Sequence, residues 1–599
     1  MRSSIATVCL SGTLVDKLHA VADAGFDAVE IFEPDLIAAP QSPEEIRALC
    51  DRLGLEPALY QPFRDAEGVS EEAFGAVLRR ADAKFLLMER LGIETVLVCS
   101  NVATATVDDD AVSASQLARL AERAEARGRR IAFEALAWGR YIDDYRRAWR
   151  VVERAAHPAL GVCLDSFHIL SRGHDPAEIE RIPGEKIFFV QLADAPLLSM
   201  DVLSWSRHHR LFPGEGGFDL AGFVRHVVRA GYGGPLSLEV FNDVFRQTDP
   251  VRTARHARRS LRVLEDAAAL TPVPAASEPR RLDYVELAAQ QTDAVAELLQ
   301  QLGFALSGVH RSKPVRLWAA GDARIVLNEH TGAGTHAHVA GFGLLTDAPG
   351  PAAARAERLG AERTYRRVLD GEADLPARLA PDGTEILWAG PDTVDAWPRE
   401  FSGGLGRPDP GIRRIDHLNL TQPATDIDEA ILFYGAALGL SPLTSAEVAG
   451  PAGLVRSQVV GSSDGAVRLA LNVAPPLTER AAGPGATANA QHIAIACTGL
   501  AELLRRARGR GLRTLPVSAN YYDDLAARLD LPPEHVADLR AAGLLYDRDE
   551  EGEYLHCYTA TIGAVFFELV ERIDGYDGYG AANAPVRLTA QHSSRRGAA

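Results

Sequence analysis

Four acidic or amide side chains stand at the ends of four short apolar segments in the first half of the chain. The segments read IAFEAL, LGVCLD, IFFVQL and PLSLEV, and the side chains are Glu134, Asp165, Gln191 and Glu239. Each segment is typical of a buried strand, and helix-like sequence separates one from the next. Because the C-terminal strand ends of a parallel barrel meet at one face, we expect these side chains to converge. Three carboxylates and an amide oxygen are suited to a hard divalent cation.

An ion with these oxygen ligands would be Mg²⁺, Mn²⁺ or Co²⁺ rather than Zn²⁺, which prefers histidine and cysteine. Such an ion stabilises an enolate or enediolate, so that a nearby base can remove a proton next to a ketone. His168 lies three residues after Asp165 and is the candidate base, because an imidazole titrates near neutral pH. The alternatives are a hydrogen-bonding role for His168 and, for any single buried glutamate, a core ion pair.

Two basic loops are candidates for holding an anionic substrate. Arg64 follows the third strand-like segment in QPFRD, and Ser206, Arg207 and Arg210 follow the seventh in SWSRHHRLFPGEGGFDL. Arginine binds a carboxylate through two parallel hydrogen bonds. A surface salt bridge is the alternative for each of these arginines. The Gly/Pro run in the second loop predicts a shaped segment over the site.

Eight strand–helix units precede residue 268, and this number predicts a (β/α)₈ TIM barrel, an α/β fold, over residues 1–268. The stretch 269–281 is rich in proline, alanine and serine, and it predicts an interdomain linker.

Beyond the linker, one α+β pattern occurs twice, in residues 282–395 and 412–575. In the second copy, His417, His492 and Glu568 each lie in a strand-like segment. Two histidines and one carboxylate form the facial triad of non-haem iron(II) oxygenases, which predicts a second divalent metal, Mg²⁺ or Fe²⁺.

The first copy differs from the second at the triad. Tyr284 aligns with His417, and His338 aligns with His492. We therefore expect the first copy to lack a metal and only to complete the domain.

The segment 576–599 is expected to be a tail. Its end, AQHSSRRGAA, is expected to be disordered, and Pro585 is expected to interrupt helix formation.

The bulk composition excludes several functions. A net charge of −18 argues against binding to nucleic acid or anionic membranes. Six scattered cysteines without a CxxC motif predict reduced thiols in a cytoplasm. The start of the chain has no signal-peptide pattern, and no apolar run is long enough for a membrane span. The sequence leaves a homo-oligomer open.

The first 268 residues resemble the sugar phosphate isomerase/epimerase-like TIM barrels of the xylose isomerase-like group. Members of that group carry a Glu–Asp–His–Glu metal set, and Gln191 stands at the histidine position here. The chain resembles the bacterial 3-dehydroshikimate dehydratases in three features. They are Gln191 at the histidine position, EIFEPD after the second strand, and SRHHRLFPGEGGFDL after the seventh. Their long members fuse such a barrel to a 4-hydroxyphenylpyruvate dioxygenase-like domain of the vicinal oxygen chelate fold, and YYDDL and FFELVER match that domain.

The resemblance implies a hydro-lyase of quinate/shikimate catabolism that converts 3-dehydroshikimate, a small carboxylated cyclohexene, to protocatechuate through a metal-stabilised enediolate. His168 or Glu134 would remove the proton, and Arg64 or Arg210 would hold the ring carboxylate. One alternative is a sugar or cyclitol isomerase or epimerase in the barrel. For the C-terminal half, the alternatives are an accessory role, a binding module for an aromatic ligand, or an active dioxygenase.

Overall fold

The computed structural model describes residues 1–329, 336–473 and 490–597. The chain divides into two compact units, Met1–Pro272 and Val273–Ala599. Among the helices so described, none combines the length and apolarity needed to cross a bilayer.

The first unit is a closed barrel of eight parallel strands, in which β1 pairs with both β2 and β8. This confirms the predicted TIM barrel. The strands are β1 Ser3–Ala6, β2 Ala28–Phe32, β3 Glu56–Phe63, β4 Thr95–Cys99, β5 Arg130–Glu134, β6 Leu160–Asp165, β7 Ile187–Leu192 and β8 Leu236–Leu238. The helices are α1 Leu14–Asp23, α2 Glu33–Ala38, α3 Pro43–Leu53, α4 Glu71–Leu91, α5 Asp110–Glu125, α6 Tyr145–Ala155, α7 Ser166–Leu170, α8 Val202–His208, α9 Leu220–Arg229 and α10 Pro250–Ala267.

Local sequence explains how the barrel elements begin and end. All residues of β6 are buried, because helices and the barrel interior cover both faces of a parallel strand, and such strands are therefore continuously apolar. Helix α3 begins with a capping box between Ser42 and Glu45 and ends at Gly54, whose φ of 69° suits a left-handed helix end. Helix α4 ends in the same way at Gly92. These caps place each following strand back in the barrel wall.

The second unit contains two sheets, one for each predicted repeat. Their orders are β14-β15-β16-β13-β9-β12-β11-β10-β17 and β19-β20-β21-β18-β22-β25-β24-β23. The first sheet consists of β9 Arg281–Ala288, β10 Ala305–His310, β11 Val315–Ala320, β12 Ala323–Asn328, β13 His338–Leu345, β14 Glu362–Arg363, β15 Ala377–Leu379, β16 Glu385–Ala389 and β17 Phe401–Leu405. The second consists of β18 Ile412–Gln422, β19 Ser441–Gly450, β20 Gly453–Gly461, β21 Arg468–Val473, β22 Gln491–Cys497, β23 Leu545–Arg548, β24 Gly552–Tyr558 and β25 Val565–Asp574. The helices are α11 Asp293–Leu302, α12 Pro349–Arg358, α13 Ile427–Leu438, α14 Leu500–Gly509, α15 Ala519–Leu529, α16 Pro533–Ala542 and α17 Ala584–Gly597.

Two boundaries differ from the sequence predictions. The first sheet continues past residue 395, because β17 pairs with β10 along its edge. The expected disordered tail is wrong as far as Gly597, because helix α17 begins at Ala584. Pro585 lies in the first turn of this helix, where its missing N–H would have no partner inside the helix in any case. Asn583, just before α17, is buried and bonded to His556, so this segment belongs to the second repeat.

Candidate active site

The barrel brings the four predicted ligand side chains to one face. Glu134 ends β5, Asp165 ends β6, Gln191 lies next to the last residue of β7, and Glu239 directly follows β8. All four are buried. Glu134 Oε1 has no hydrogen-bond partner within the described part of the chain. Burying a carboxylate oxygen without a partner is costly, so this atom indicates that the site is built for a ligand.

Arg210 lies between the carboxylates and is almost completely buried. Its Nη1 donates to Asp165 Oδ2 at 2.8 Å and to Glu239 Oε2 at 3.0 Å. The Ser206 hydroxyl accepts from Arg210 Nε at 3.2 Å and from Nη2 at 3.0 Å. Ser206, predicted as a substrate contact, therefore positions Arg210 in this structure.

His168 faces the same carboxylates. Asp165 caps helix α7 by accepting from the backbone N–H groups of Phe167 and His168, which sets the imidazole over the site. His168 Nε2 lies 3.7 Å from Asp165 Oδ2 and 3.9 Å from Glu134 Oε1. The Ala137 N–H donates to His168 Nδ1 at 3.2 Å. Arg210 Nη2, which can only donate, lies 3.3 Å from His168 Nε2. Both ring nitrogens therefore face a donor, although a neutral imidazole accepts at only one of them.

Burial changes the protonation of these groups. It lowers the pKa of His168 to about 3, which differs from the near-neutral titration expected from sequence. Burial also raises the pKa of Glu239 to about 7. Burial together with the charges of Asp165 and Glu239 raises the pKa of Glu134. Burial opposes ionisation of Asp165, but Arg210 and His168 outweigh it and lower its pKa. A divalent cation that binds here must therefore displace protons from the two glutamates.

Three arginines form the cationic side of the site. Arg64 directly follows β3, Arg207 lies in α8, and Arg210 follows α8. The Arg207 guanidinium packs over the Phe241 ring at 5.5 Å. Burial and the nearby charges of Arg64 and Arg210 lower the pKa of Arg207. Arginines whose positive charges repel one another at short range form a favourable binding site for a carboxylate.

Asp194 shapes the Gly/Pro-rich loop that carries Arg210. Its carboxylate accepts from the backbone N–H groups of Ala195, Gly214 and Phe218 at 2.8, 3.0 and 3.0 Å. The backbone of Asp194 also pairs with that of Leu211. The loop is therefore anchored to the end of β7 rather than held only by its own ends.

Glu30 is a site residue that sequence reasoning missed. It lies in β2 and is fully buried. Glu30 Oε2 accepts a hydrogen bond from Gln61 Nε2 at 2.9 Å and another from Gln191 Nε2 at 2.7 Å. Glu30 Oε1 accepts from the Ser237 hydroxyl. Glu30 therefore orients the amide of the predicted ligand Gln191, whose oxygen accepts from the Cys163 thiol at 3.4 Å. The available signal was an acidic residue inside the apolar strand AVEIF.

A second cluster of ligand-type atoms lies in the second repeat. His417 on β18, His492 on β22 and Glu568 on β25 are buried. The two Nε2 atoms are 3.2 Å apart, and Glu568 Oε2 lies 3.2 Å from His417 Nε2 and 3.3 Å from His492 Nε2. The centre of such a triangle is about 2 Å from each atom, which is the usual length of a bond from nitrogen or oxygen to a divalent metal. These residues fit a facial metal site.

Neighbouring side chains orient the triad. His417 Nδ1 lies 2.8 Å from Asp416 Oδ1, and Arg572 holds the same carboxylate through two hydrogen bonds. His556 Nδ1 lies 2.7 Å from Glu568 Oε1. Such partners fix the ring tautomer and leave Nε2 for an ion. The predicted ligand set included none of these partners. Asp416 is adjacent to His417 in sequence, whereas Arg572 and His556 reach the triad only across strands.

Strand register identifies the equivalent positions in the first repeat. Tyr284 pairs with Gly343 as His417 pairs with Ala494. Counting two residues back along each strand places Gly341, not His338, at the position of His492. The alignment of His338 with His492 was therefore wrong, because His338 lies three residues before the equivalent position on β13.

The third triad position is also changed in the first repeat. Leu387 pairs with Gly343 as Glu568 pairs with Ala494, so leucine replaces the carboxylate. Elsewhere in this repeat, ligand-type atoms of His310, Glu372 and Glu400 lie close together. Lys313 Nζ lies 2.9 Å from Glu372, so a side-chain ammonium already supplies positive charge to that group.

Comparisons with known proteins agree with this architecture. Residues 18–267 match the xylose isomerase-like TIM barrel family. Residues 279–386 match the N-terminal family of hydroxyphenylpyruvate dioxygenase, and residues 414–539 match the glyoxalase/bleomycin resistance protein/dioxygenase superfamily.

Full-length relatives share the same arrangement. The chain is 43% identical to a 3-dehydroshikimate dehydratase of Pseudomonas aeruginosa, over 100% of this chain and 99% of the relative. It is 41% identical to one of Pseudomonas putida with the same coverage. A solved structure described as a xylose isomerase-like TIM barrel/4-hydroxyphenylpyruvate dioxygenase fusion protein matches with a TM-score of 0.86 and 40% identity, over 99% of this chain and 100% of that one.

Proposed function

The chain belongs to the two-domain 3-dehydroshikimate dehydratases, and from this premise we propose that its barrel removes water from 3-dehydroshikimate to give protocatechuate. Three carboxylates and a cluster of arginines meet at the C-terminal ends of the barrel strands. This observation is the reason to assign the dehydration to the barrel. The carboxylates suit proton removal next to a ketone, and the arginines suit the ring carboxylate.

Glu134, Asp165, Gln191 and Glu239 are the residues that would hold Mg²⁺, Mn²⁺ or Co²⁺. The unpaired Glu134 Oε1 and the donor set of oxygen atoms fit such an ion. When bound, the ion supplies positive charge that stabilises the negative oxygen formed as the proton leaves.

The protein's own groups divide the remaining work. Glu134 accepts the proton from the carbon next to the ketone through the carboxylate oxygen that would not hold the ion. His168, whose Nε2 lies 3.9 Å from Glu134 Oε1, contacts a substrate oxygen. The proton then passes from Glu134 to the departing β-hydroxyl, so that one water is released and a cyclohexadienone remains. A proton shift from the ring CH2 to the ketone oxygen then makes the ring aromatic. Arg64 and Arg207 hold the ring carboxylate, while Arg210 keeps the carboxylates in place.

A direct assay tests the proposal. Purified protein is incubated with 3-dehydroshikimate, and the absorbance of the catechol product is followed with and without a chelator. We expect product formation that falls by about a thousandfold with the chelator, because charge stabilisation by a bound metal is worth several kcal/mol. Adding back Mn²⁺ should restore it. Turnover of a sugar or cyclitol, with no catechol from 3-dehydroshikimate, would favour the isomerase alternative instead.

We also infer that His417, His492 and Glu568 hold a second divalent ion, Mg²⁺ or Fe²⁺, and that this half is accessory to dehydration. The convergence of their Nε2 and Oε2 atoms within 3.3 Å supports this inference.

Removing one triad ligand should separate the two sites. We expect His417→Ala to lose about one metal equivalent per chain, measured by elemental mass spectrometry, because a facial site needs all three ligands. Its dehydratase kcat/KM should stay within about twofold of wild type, since the barrel ligands are untouched. His226→Ala, on helix α9 and outside both sites, should keep all bound metal. Loss of dehydration in His417→Ala would place the chemistry in the second unit.

A further inference from the structure

The first repeat contains a cavity of about 580 Å³ at the place where the second repeat has its facial triad. Tyr284 and Leu387, the counterparts of His417 and Glu568, both line it. Pockets for small organic ligands usually have volumes of about 300–1,000 Å³. The first repeat therefore has a space of ligand size where the second has ligand-type side chains.

The floor of the cavity is aromatic. The Tyr284 and Trp397 rings lie 4.7 Å apart between centroids, and Phe401 lies 6.1 Å from Trp397. The Trp397 indole N–H donates to Asp283 at 2.9 Å, so the indole is fixed and its remaining surface is apolar. Such a floor suits a planar ring.

The inner wall accepts hydrogen bonds. Arg366 bridges two carboxylates, with Nη2 at 2.8 Å from Glu286 Oε2 and Nε at 2.7 Å from Glu385 Oε2. One guanidinium cannot neutralise two carboxylates, so this wall keeps a net negative charge. The Tyr284 hydroxyl, on a residue that is 4% exposed, has no hydrogen bond to any residue the structure describes. Hydroxyl groups of a ligand would meet acceptors and a phenol here.

The rim of the cavity differs from the wall. Arg367 lines the cavity and is exposed. Lys313 also lines it, but its ammonium pairs with Glu372 at 2.9 Å. The exposed Arg367 at the mouth and the carboxylates inside suit a ligand with an anionic end and hydroxyl groups at the opposite end.

We propose that this cavity is a second, non-catalytic binding site for a hydroxylated aromatic carboxylate, the class of compound that the barrel releases. The choice of this class rests on the proposed dehydration as well as on the cavity. The ring would pack on Trp397, the hydroxyls would point to Glu286 and Glu385, and the carboxylate would lie at Arg367.

Hydrogen exchange of the full chain tests this proposal with a local readout, because the barrel also binds the product. Protocatechuate is titrated in the presence of a chelator, and exchange of β9 and β16 is followed by mass spectrometry. We expect slower exchange in both strands, since the cavity needs no metal. Tyr284→Phe should raise the midpoint concentration about fivefold by removing one hydrogen bond, whereas Tyr434→Phe, outside the cavity, should not.

Two further variants test the orientation and the location. Arg367→Ala should raise the midpoint about threefold, and the difference should disappear in high salt. Arg363→Ala, an exposed arginine outside the cavity, is its control. Leu375→Trp should abolish the protection by filling the cavity, provided that exchange without ligand is unchanged.

Three results would overturn the proposal. The first is no protection of β9 and β16 at concentrations that saturate the barrel. The second is protection that is seen only when the chelator is left out. The third is tighter binding of tyramine, an aromatic amine, than of protocatechuate. None of these readouts needs turnover. A chain that binds here but forms no product would contradict the dehydratase assignment and leave this site standing.

Discussion

Replacing Glu134 by glutamine is expected to lower kcat for dehydration by about 10³-fold or more, with the barrel still folded. Glu134 Oε1 is the buried carboxylate oxygen without a hydrogen-bond partner among the described residues around the site. Glutamine keeps the size of the side chain but accepts no proton, and it also weakens the cation site. A positioned base contributes about 10²–10⁴-fold, and the altered ligand adds to that loss. Steady-state kinetics at saturating metal measure the effect.

Two variants serve as comparisons for Glu134→Gln. Glu265→Gln changes another buried carboxylate, in helix α10 and outside the site, and should leave kcat nearly unchanged. His168→Gln should lose less activity than Glu134→Gln, because His168 contacts the substrate but does not take the proton. If His168→Gln were the more severe of the two, His168 would be the base and the assignment of Glu134 would be wrong.

Replacing Arg210 by methionine should destabilise the barrel by about 3–5 kcal/mol when no divalent ion is added, because it leaves buried carboxylates without their counter-charge. Asp165 and Glu239 each lose a hydrogen bond of 3.0 Å or less. Hydrogen exchange of β6 and β8 measures this loss within the barrel. Adding Mn²⁺ should recover much of it, since the ion replaces the missing positive charge.

The loss in Arg210→Met should grow with pH. Burial already raises the pKa of Glu239 to about 7, and removing Arg210 raises it further. A carboxyl whose pKa is higher folded than unfolded favours folding below its unfolded pKa, and that contribution is lost as pH rises through the folded value. The destabilisation should therefore be larger at pH 8 than at pH 6. Arg207→Met, which removes a cation without a bond to Asp165 or Glu239, is the matched control. Equal stability of Arg210→Met and wild type at pH 8 would contradict this account.

The candidate metal ligands were easier to predict from the sequence than helix α17. Glu134, Asp165 and Glu239 could be predicted because a parallel barrel brings its C-terminal strand ends together, so that position in a strand gives position in space. His417, His492 and Glu568 were predicted from residue type and from a repeated pattern. Helix α17 was not predicted, because its sequence is polar and contains Pro585. The position of this helix against the second repeat depends on tertiary contacts such as that of Asn583 with His556.

Strand and helix periods and ligand types are local properties, so the fold class, the two repeats and the candidate ligands could be predicted from the sequence. The groups that surround those candidates follow from the tertiary structure. Glu30 meets Gln191 across the barrel, and His168 lies between the Ala137 N–H and the Arg210 guanidinium. Strand pairing places Gly341 rather than His338 at the triad position of the first repeat, which contains a cavity there. Such contacts join residues far apart in the chain and depend on register and side-chain direction, which no local pattern encodes.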